Sequence, residues 1–114
     1  MTAVYEVVLT EDAQQDLQEI YEYIAAHDAP AKADYVLDCI EQELASLAHM
    51  PKRGAWTKEL LALGIREYRE TCFKPYRVVY RVIQSENRKL DYVYLIVDGR
   101  GDMQALLQRR MLRA

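Results

Sequence analysis

Hydrophobic positions along this chain alternate between a strand period and a helix period. Val4 to Leu9 is a short apolar run of strand length. Thr10 then offers a hydroxyl N-cap, with Glu11 and Asp12 in the first turn, where the helix dipole favours carboxylates. Ala13, Leu17, Ile20, Tyr21 and Ile24 mark one face of an amphipathic helix ending near His27. Asp28 and Pro30 signal a second helix over 30–49, with a stripe of Ala33, Val36, Leu37, Ile40, Leu44 and Leu47, stopped by Pro51 and Gly54. The two helices form an antiparallel hairpin, joined by about three residues.

Residues 51–64 are irregular apart from a short Glu59–Leu63 patch ending at Gly64. Arg66 to Phe73 reads as a strand with poor alternation, an edge strand wet on one side. Lys74-Pro75 turns the chain into Tyr76–Ile83, where Tyr76, Val78, Tyr80 and Val82 alternate with Arg77, Val79, Arg81 and Ile83. A polar turn leads to Leu90–Asp98, and Met103–Arg113 returns to helical spacing through Met103, Leu106, Leu107 and Met111. The order β-α-α-β-β-β-α predicts one α+β domain over 1–114. Its antiparallel sheet of about four strands carries the hairpin on the Val78–Tyr80–Val82 face, the C-terminal helix nearby and the first strand beside the last.

Successive strand residues point to opposite faces, so Arg77 and Arg81 share one, roughly 13 Å apart at about 3.3 Å per residue. Two guanidinium groups so placed need either internal carboxylates or an anionic partner outside. Around them Arg66, Arg69, Lys74, Arg100, Arg109 and Arg110 interleave with Tyr68, Tyr76, Tyr80, Tyr92 and Tyr94. Arginine binds phosphate or carboxylate bidentately, and tyrosine offers a stacking face or a hydroxyl. The opposing reading packs the tyrosines under the helices and pairs arginines with Glu67, Glu70 and Asp98.

The formal charge of −3 conceals an asymmetry. Residues 1–50 hold Lys32 against eleven acids, a net −10, and residues 51–114 carry +7. Opposed patches of this kind can orient a molecule on its target, or neutralise each other across the fold. No apolar run approaches the roughly 20 residues of a membrane span, and the N-terminus lacks the pattern of a secretion signal. Cys39 and Cys72 read as small buried hydrophobes of a cytoplasmic protein.

Catalytic patterns are missing. His27 and His49 have no metal-ligand spacing, phosphate-binding glycine loops are absent, and no nucleophile–base pair can be argued. Neither metal nor cofactor is expected, and no catalytic residue is assigned. Glu41 and Glu43, two apart on a helix, read as a solvated face.

In order along the chain stand the Pro-x-x-Gly of Pro51–Gly54, Gly64-Ile65-Arg66-Glu67, Tyr76-Arg77-Val78-Val79-Tyr80-Arg81-Val82, and Asp98-Gly99-Arg100-Gly101-Asp102-Met103. With this element order, the chain resembles the RelE/ParE superfamily of type II toxin–antitoxin toxins over nearly its whole length. The messenger-cleaving RelE branch is known for a basic residue before the Tyr-Arg-Val-Val-Tyr strand, which falls here at Cys72, and a tyrosine in the last helix, which is lacking. RNA cleavage by the 2′-hydroxyl needs a proton acceptor as well as charge stabilisation. The Gly-Arg-x-Asp-Met ending looks like the ParE branch, associated with poisoning DNA gyrase without enzymatic activity.

The resemblance therefore implies a cytoplasmic binding toxin held by a cognate antitoxin whose gene lies next door. Its target-binding candidates are Arg66, Arg69, Arg77, Arg81, Arg100, Arg109 and Arg110. The alternative is a metal-independent, ribosome-dependent mRNA endonuclease; a third reading is a toxin-like scaffold kept as a regulatory partner.

Overall fold

A computed structural model describes residues 4–111. Strand β1 (Glu6–Leu9) leads into α1 (Glu11–His27) and α2 (Pro30–Ser46), followed by β2 (Ala55–Trp56) and the short α3 (Lys58–Leu61). Strands β3 (Arg69–Phe73), β4 (Tyr76–Gln84) and β5 (Lys89–Asp98) precede α4 (Met103–Met111). They form one five-stranded sheet in the order β1-β5-β4-β3-β2, in which β1 runs parallel to β5 and the other pairs are antiparallel. The α+β class and the placement of the first strand beside the last are as the sequence implied.

Local chemistry sets the boundaries of the hairpin. Thr10 caps α1, its Oγ1 accepting the Ala13 N–H at 3.1 Å, and Glu11 and Asp12 occupy the favourable first turn. The helix closes where the Asp28 N–H reaches the Ile24 carbonyl. Pro30, with φ preset for a helix and no N–H to satisfy, opens α2 behind Ala29, which offers no side-chain cap. The stripes of both helices meet Val78, Tyr80, Val93 and Ile96 on one sheet face. On the opposite face Val79 and Leu95 pack with Leu60 of α3 and Met103 and Leu107 of α4. The sheet is thus covered on both sides.

The Pro51–Gly54 motif has a structural task. The buried Tyr80 hydroxyl donates to the Pro51 carbonyl at 2.7 Å and accepts the Gly54 N–H at 3.1 Å. A Cβ on Gly54 would stand 2.5 Å from the Glu70 carbonyl oxygen, so only glycine lets the loop cross here.

Several expectations are corrected. The sheet has a fifth strand, β2, whose two exposed residues carry no alternation to read. The Glu59–Leu63 patch supplies α3, and α2 ends at Ser46 rather than residue 49. Ladder pairing of the third strand starts at Arg69; before it, Ile65 and Tyr68 pack into the cluster around Leu60. Its first two residues are covered by β2, so it is an edge only from Thr71 onward. Cys72 is exposed and Cys39 only half-buried. Glu41 is exposed as expected, whereas Glu43 is half-buried and accepts hydrogen bonds from Arg53 and Thr71, both at 2.8 Å. The expected helical segment through Arg113 is described only to Met111.

Strand β5 also carries a bulge. Val79 pairs with Leu95 and Tyr80 with Val93, which leaves Tyr94 as an extra residue. Strict alternation would place Leu95 with Val93. The bulge instead sends Leu95 to the α3–α4 side and Ile96 to the hairpin side.

Candidate functional site

Arg77 sits mid-sheet on β4, opposite Cys72 and Val97. Its Nη1 and Nη2 donate to Glu59 at 2.9 and 2.7 Å, while Nε donates to Glu70 Oε2 at 2.9 Å and Nη2 also meets Glu70 Oε1. All three side chains are largely buried. Hydrogen bonds from Arg77 hold the Glu59 carboxyl below its usual range, and the guanidinium is raised in return, chiefly by Glu59. The arginine stem lies against Gly99, where a Cβ would come within 2.5 Å of Arg77 Cδ. Two carboxylates surround one cation, so this group presents no surplus positive charge.

Arg81 shares the face but is more open, with Glu67 at 3.8 Å. Beside it Tyr68 meets Tyr94 edge-on at 5.5 Å, and Tyr94 meets Tyr92 at 5.1 Å. Tyr92 is also the cross-strand partner of Arg81. Burial pushes the Tyr68 hydroxyl pKa up, which keeps it a neutral donor.

The remaining candidates are spread around the molecule. Arg69 lies over the Trp56 ring at 4.0 Å and donates to the Gly54 carbonyl at 2.8 Å. Arg100 is exposed and chelates Asp98, whose carboxyl it lowers. Arg110 donates to both Asp16 oxygens, at 3.1 and 3.0 Å, and to the Tyr94 carbonyl. Asp16 also accepts the Ile96 N–H at 3.1 Å, tying α1, α4 and the bulged strand together. Arg66 and Arg109 are exposed, and among the described residues neither enters an ion pair. The structure gathers Arg77 and Arg81 on one face, sets Arg100 on a groove that Arg77 also lines, and sends Arg110 to the seam between α4 and α1.

The sequence reading missed Glu59, Asp16 and Asp91. Asp91 is fully buried and neither carboxylate oxygen has a hydrogen-bond partner among the described residues. Desolvation raises its pKa to about 6. A lone acid inside the apolar run Leu90–Val97 was the available signal.

The comparisons bear on this architecture. Residues 7–103 match the family described as ParE toxin of type II toxin–antitoxin system, parDE. The chain belongs to the ParE toxin family. A search of curated proteins gives no match. Among solved structures, the chain is similar to the chromosomal ParDE toxin–antitoxin system from P. aeruginosa, with a TM-score of 0.67 and 20% identity over 83% of this chain and 96% of the other. It is also similar to the toxin–antitoxin complex RelBE2 from Mycobacterium tuberculosis, with a TM-score of 0.60 and 17% identity over 86% and 94%. The ParE-type fold accommodates the RelE-type relative as well, so the target has to be argued from side chains.

Proposed function

We propose that this ParE-family toxin acts by binding, with DNA gyrase as its target and a cognate antitoxin as its keeper. The observation that carries the reading is the pair of carboxylates around Arg77. A nuclease would need this central guanidinium to stabilise a phosphorane, and it would need a base nearby. Glu59 and Glu70 already occupy the fork of Arg77. The oxygens of both carboxylates are engaged by the guanidinium, which leaves neither free to take a proton from a substrate. The face next to it, with Arg81, Tyr68 and Tyr92, suits a protein surface better: tyrosine and arginine are the residues that dominate interface energies.

Exposed Arg66 and Arg109 add cationic contacts for an acidic protein patch or for DNA phosphates, which makes binding salt-dependent. The test is to express the chain alone and together with the product of the small reading frame beside its gene. The account expects growth arrest in the first case and rescue in the second. Undisturbed growth when the folded chain accumulates alone would contradict it.

A further inference from the structure

A cavity of about 500 Å³ opens where the end of α1, the start of α2 and the turn between β3 and β4 meet, and four aromatic rings border it: Tyr23, Tyr35, Phe73 and Tyr76. Two of these rings are bare. Tyr23 is 65% exposed and Tyr35 58%, although both belong to long helices that pack on the sheet. The Tyr23 ring stacks on His27, with centroids 4.2 Å apart, and the His27 Nδ1 lies 2.9 Å from the Tyr23 carbonyl oxygen. The Tyr35 ring meets Phe73 edge-on at 6.3 Å. Each ring is braced on one side and open on another, which suits a platform for a stacked ligand.

The charge around these rings is positive. Lys32 and Lys74 are exposed and line the cavity together with Arg100. Lys32 is the one Lys or Arg among the first fifty residues, and the fold brings it to two cations of the basic half. Arg100 is paired with Asp98, while neither lysine enters an ion pair among the described residues. Asp28 on the rim offsets one of the two lysines, so the lining keeps a surplus cation. An apolar ligand would leave the ammonium groups unanswered, and an inorganic anion would leave the rings bare. The complement is a planar aromatic group joined to an anion, and the volume lies in the range of small-molecule sites.

We propose that this cavity binds a nucleotide, with its base against Tyr23 and Tyr35 and its phosphate at Lys32 and Lys74. The chemistry recognised is an unpaired base carrying its phosphate, supplied either by a free nucleotide or by a single-stranded stretch of nucleic acid. Tyr76 and Phe73 belong to the hairpin side of the sheet, whereas Tyr68 packs on the opposite side. The site is therefore separate from the Arg81–Tyr68 face and does not depend on which target the toxin strikes.

The test titrates the purified chain with a fluorescent methylanthraniloyl ATP and, separately, with a fluorescein-labelled oligothymidylate. Saturable binding of either probe is expected: the first identifies a free nucleotide as the source, and the second alone identifies a single strand. Where the ATP probe binds, unlabelled ATP is expected to displace it, with adenosine and inorganic phosphate each at least about tenfold weaker competitors, because each lacks one half of the ligand. Tyr23→Ala is expected to weaken binding about fivefold or more, within the range a single stacked base contributes, and Tyr23→Phe to restore most of it. Lys32→Glu with Lys74→Glu is expected to weaken it at least tenfold, and Lys89→Glu, at the far end of β5, to leave it unchanged. Circular dichroism checks that each variant is folded. Absence of binding by both probes, or binding indifferent to Tyr23→Ala and to the lysine pair, overturns the assignment. So does Tyr23-dependent binding of a tyrosine-containing polyglutamate peptide when neither nucleotide probe binds, which would make the cavity a peptide site.

Discussion

Arg77 and Glu59, 18 positions apart in the chain, meet through two hydrogen bonds of 2.9 and 2.7 Å, and Glu70 closes the other side of the same guanidinium. This joins α3 to the centre of the sheet and makes Arg77 part of the scaffold. Removing the arginine leaves two shielded carboxylates facing each other. Breaking a buried pair from one side typically costs 3–5 kcal/mol. Arg77→Ala is therefore expected to lower stability by about 3 kcal/mol in urea unfolding, so a loss of toxicity in that variant reports folding as well as binding. Glu59→Gln is expected to be milder.

The same cluster predicts an acid limit. Glu59 has a lowered pKa in the folded state, so its stabilisation is present above the unfolded value of about 4.3. It is lost as pH falls from there through the folded value. Thermal unfolding of the native chain between about pH 5 and pH 3 is expected to show this loss, and Glu59→Gln to reduce its slope.

Asp91 acts in the opposite direction. Its folded pKa is raised to about 6, so the destabilisation grows as pH rises from about 4 to about 6 and is complete above that. Asp91→Asn removes the buried charge and is expected to raise stability by about 1–2 kcal/mol at pH 7.5, with little gain at pH 4. Denaturant midpoints at the two pH values check it. Equal midpoints for variant and parent at pH 7.5 would refute the assignment of an uncompensated charge.

Tyr80→Phe tests the Pro51–Gly54 loop. The variant keeps the ring and strands one carbonyl and one N–H, at a cost of about 1–3 kcal/mol in denaturant unfolding. Gly54→Ala is expected to cost more than a surface substitution, because its Cβ would collide with the backbone of Glu70.

Arg110 and Asp16 fasten α4 to α1. Asp16→Asn is expected to raise amide exchange in Met103–Met111 and at Ile96, whose N–H loses a charged acceptor, while the hairpin core stays protected. Unchanged exchange in α4 would mean that Met103 and Leu107 hold the helix without the latch.

Much of this fold was legible because its elements are long and periodic. Thr10 marks the start of α1, and Val78 and Tyr80 face the hairpin as their alternation required. The two residues of β2 are too few for a period, and the Tyr94 bulge breaks the alternation of β5 from within the sheet. Of the two readings of the arginines, the pairings with Glu70, Glu67 and Asp98 were nameable from neighbouring strand and turn positions. Glu59 and Asp16 were not, since each reaches its arginine from another element, across a distance in sequence that no local pattern encodes.

The central claim, a toxin that works by binding, is tested most directly with purified gyrase and supercoiled DNA, in the presence and absence of the chain. The account predicts that the chain stabilises gyrase–DNA cleavage complexes, that added salt weakens the effect, and that Arg66→Glu with Arg109→Glu weakens it without lowering stability. Full gyrase activity in the presence of folded chain, together with cuts in messenger RNA on translating ribosomes, would contradict it.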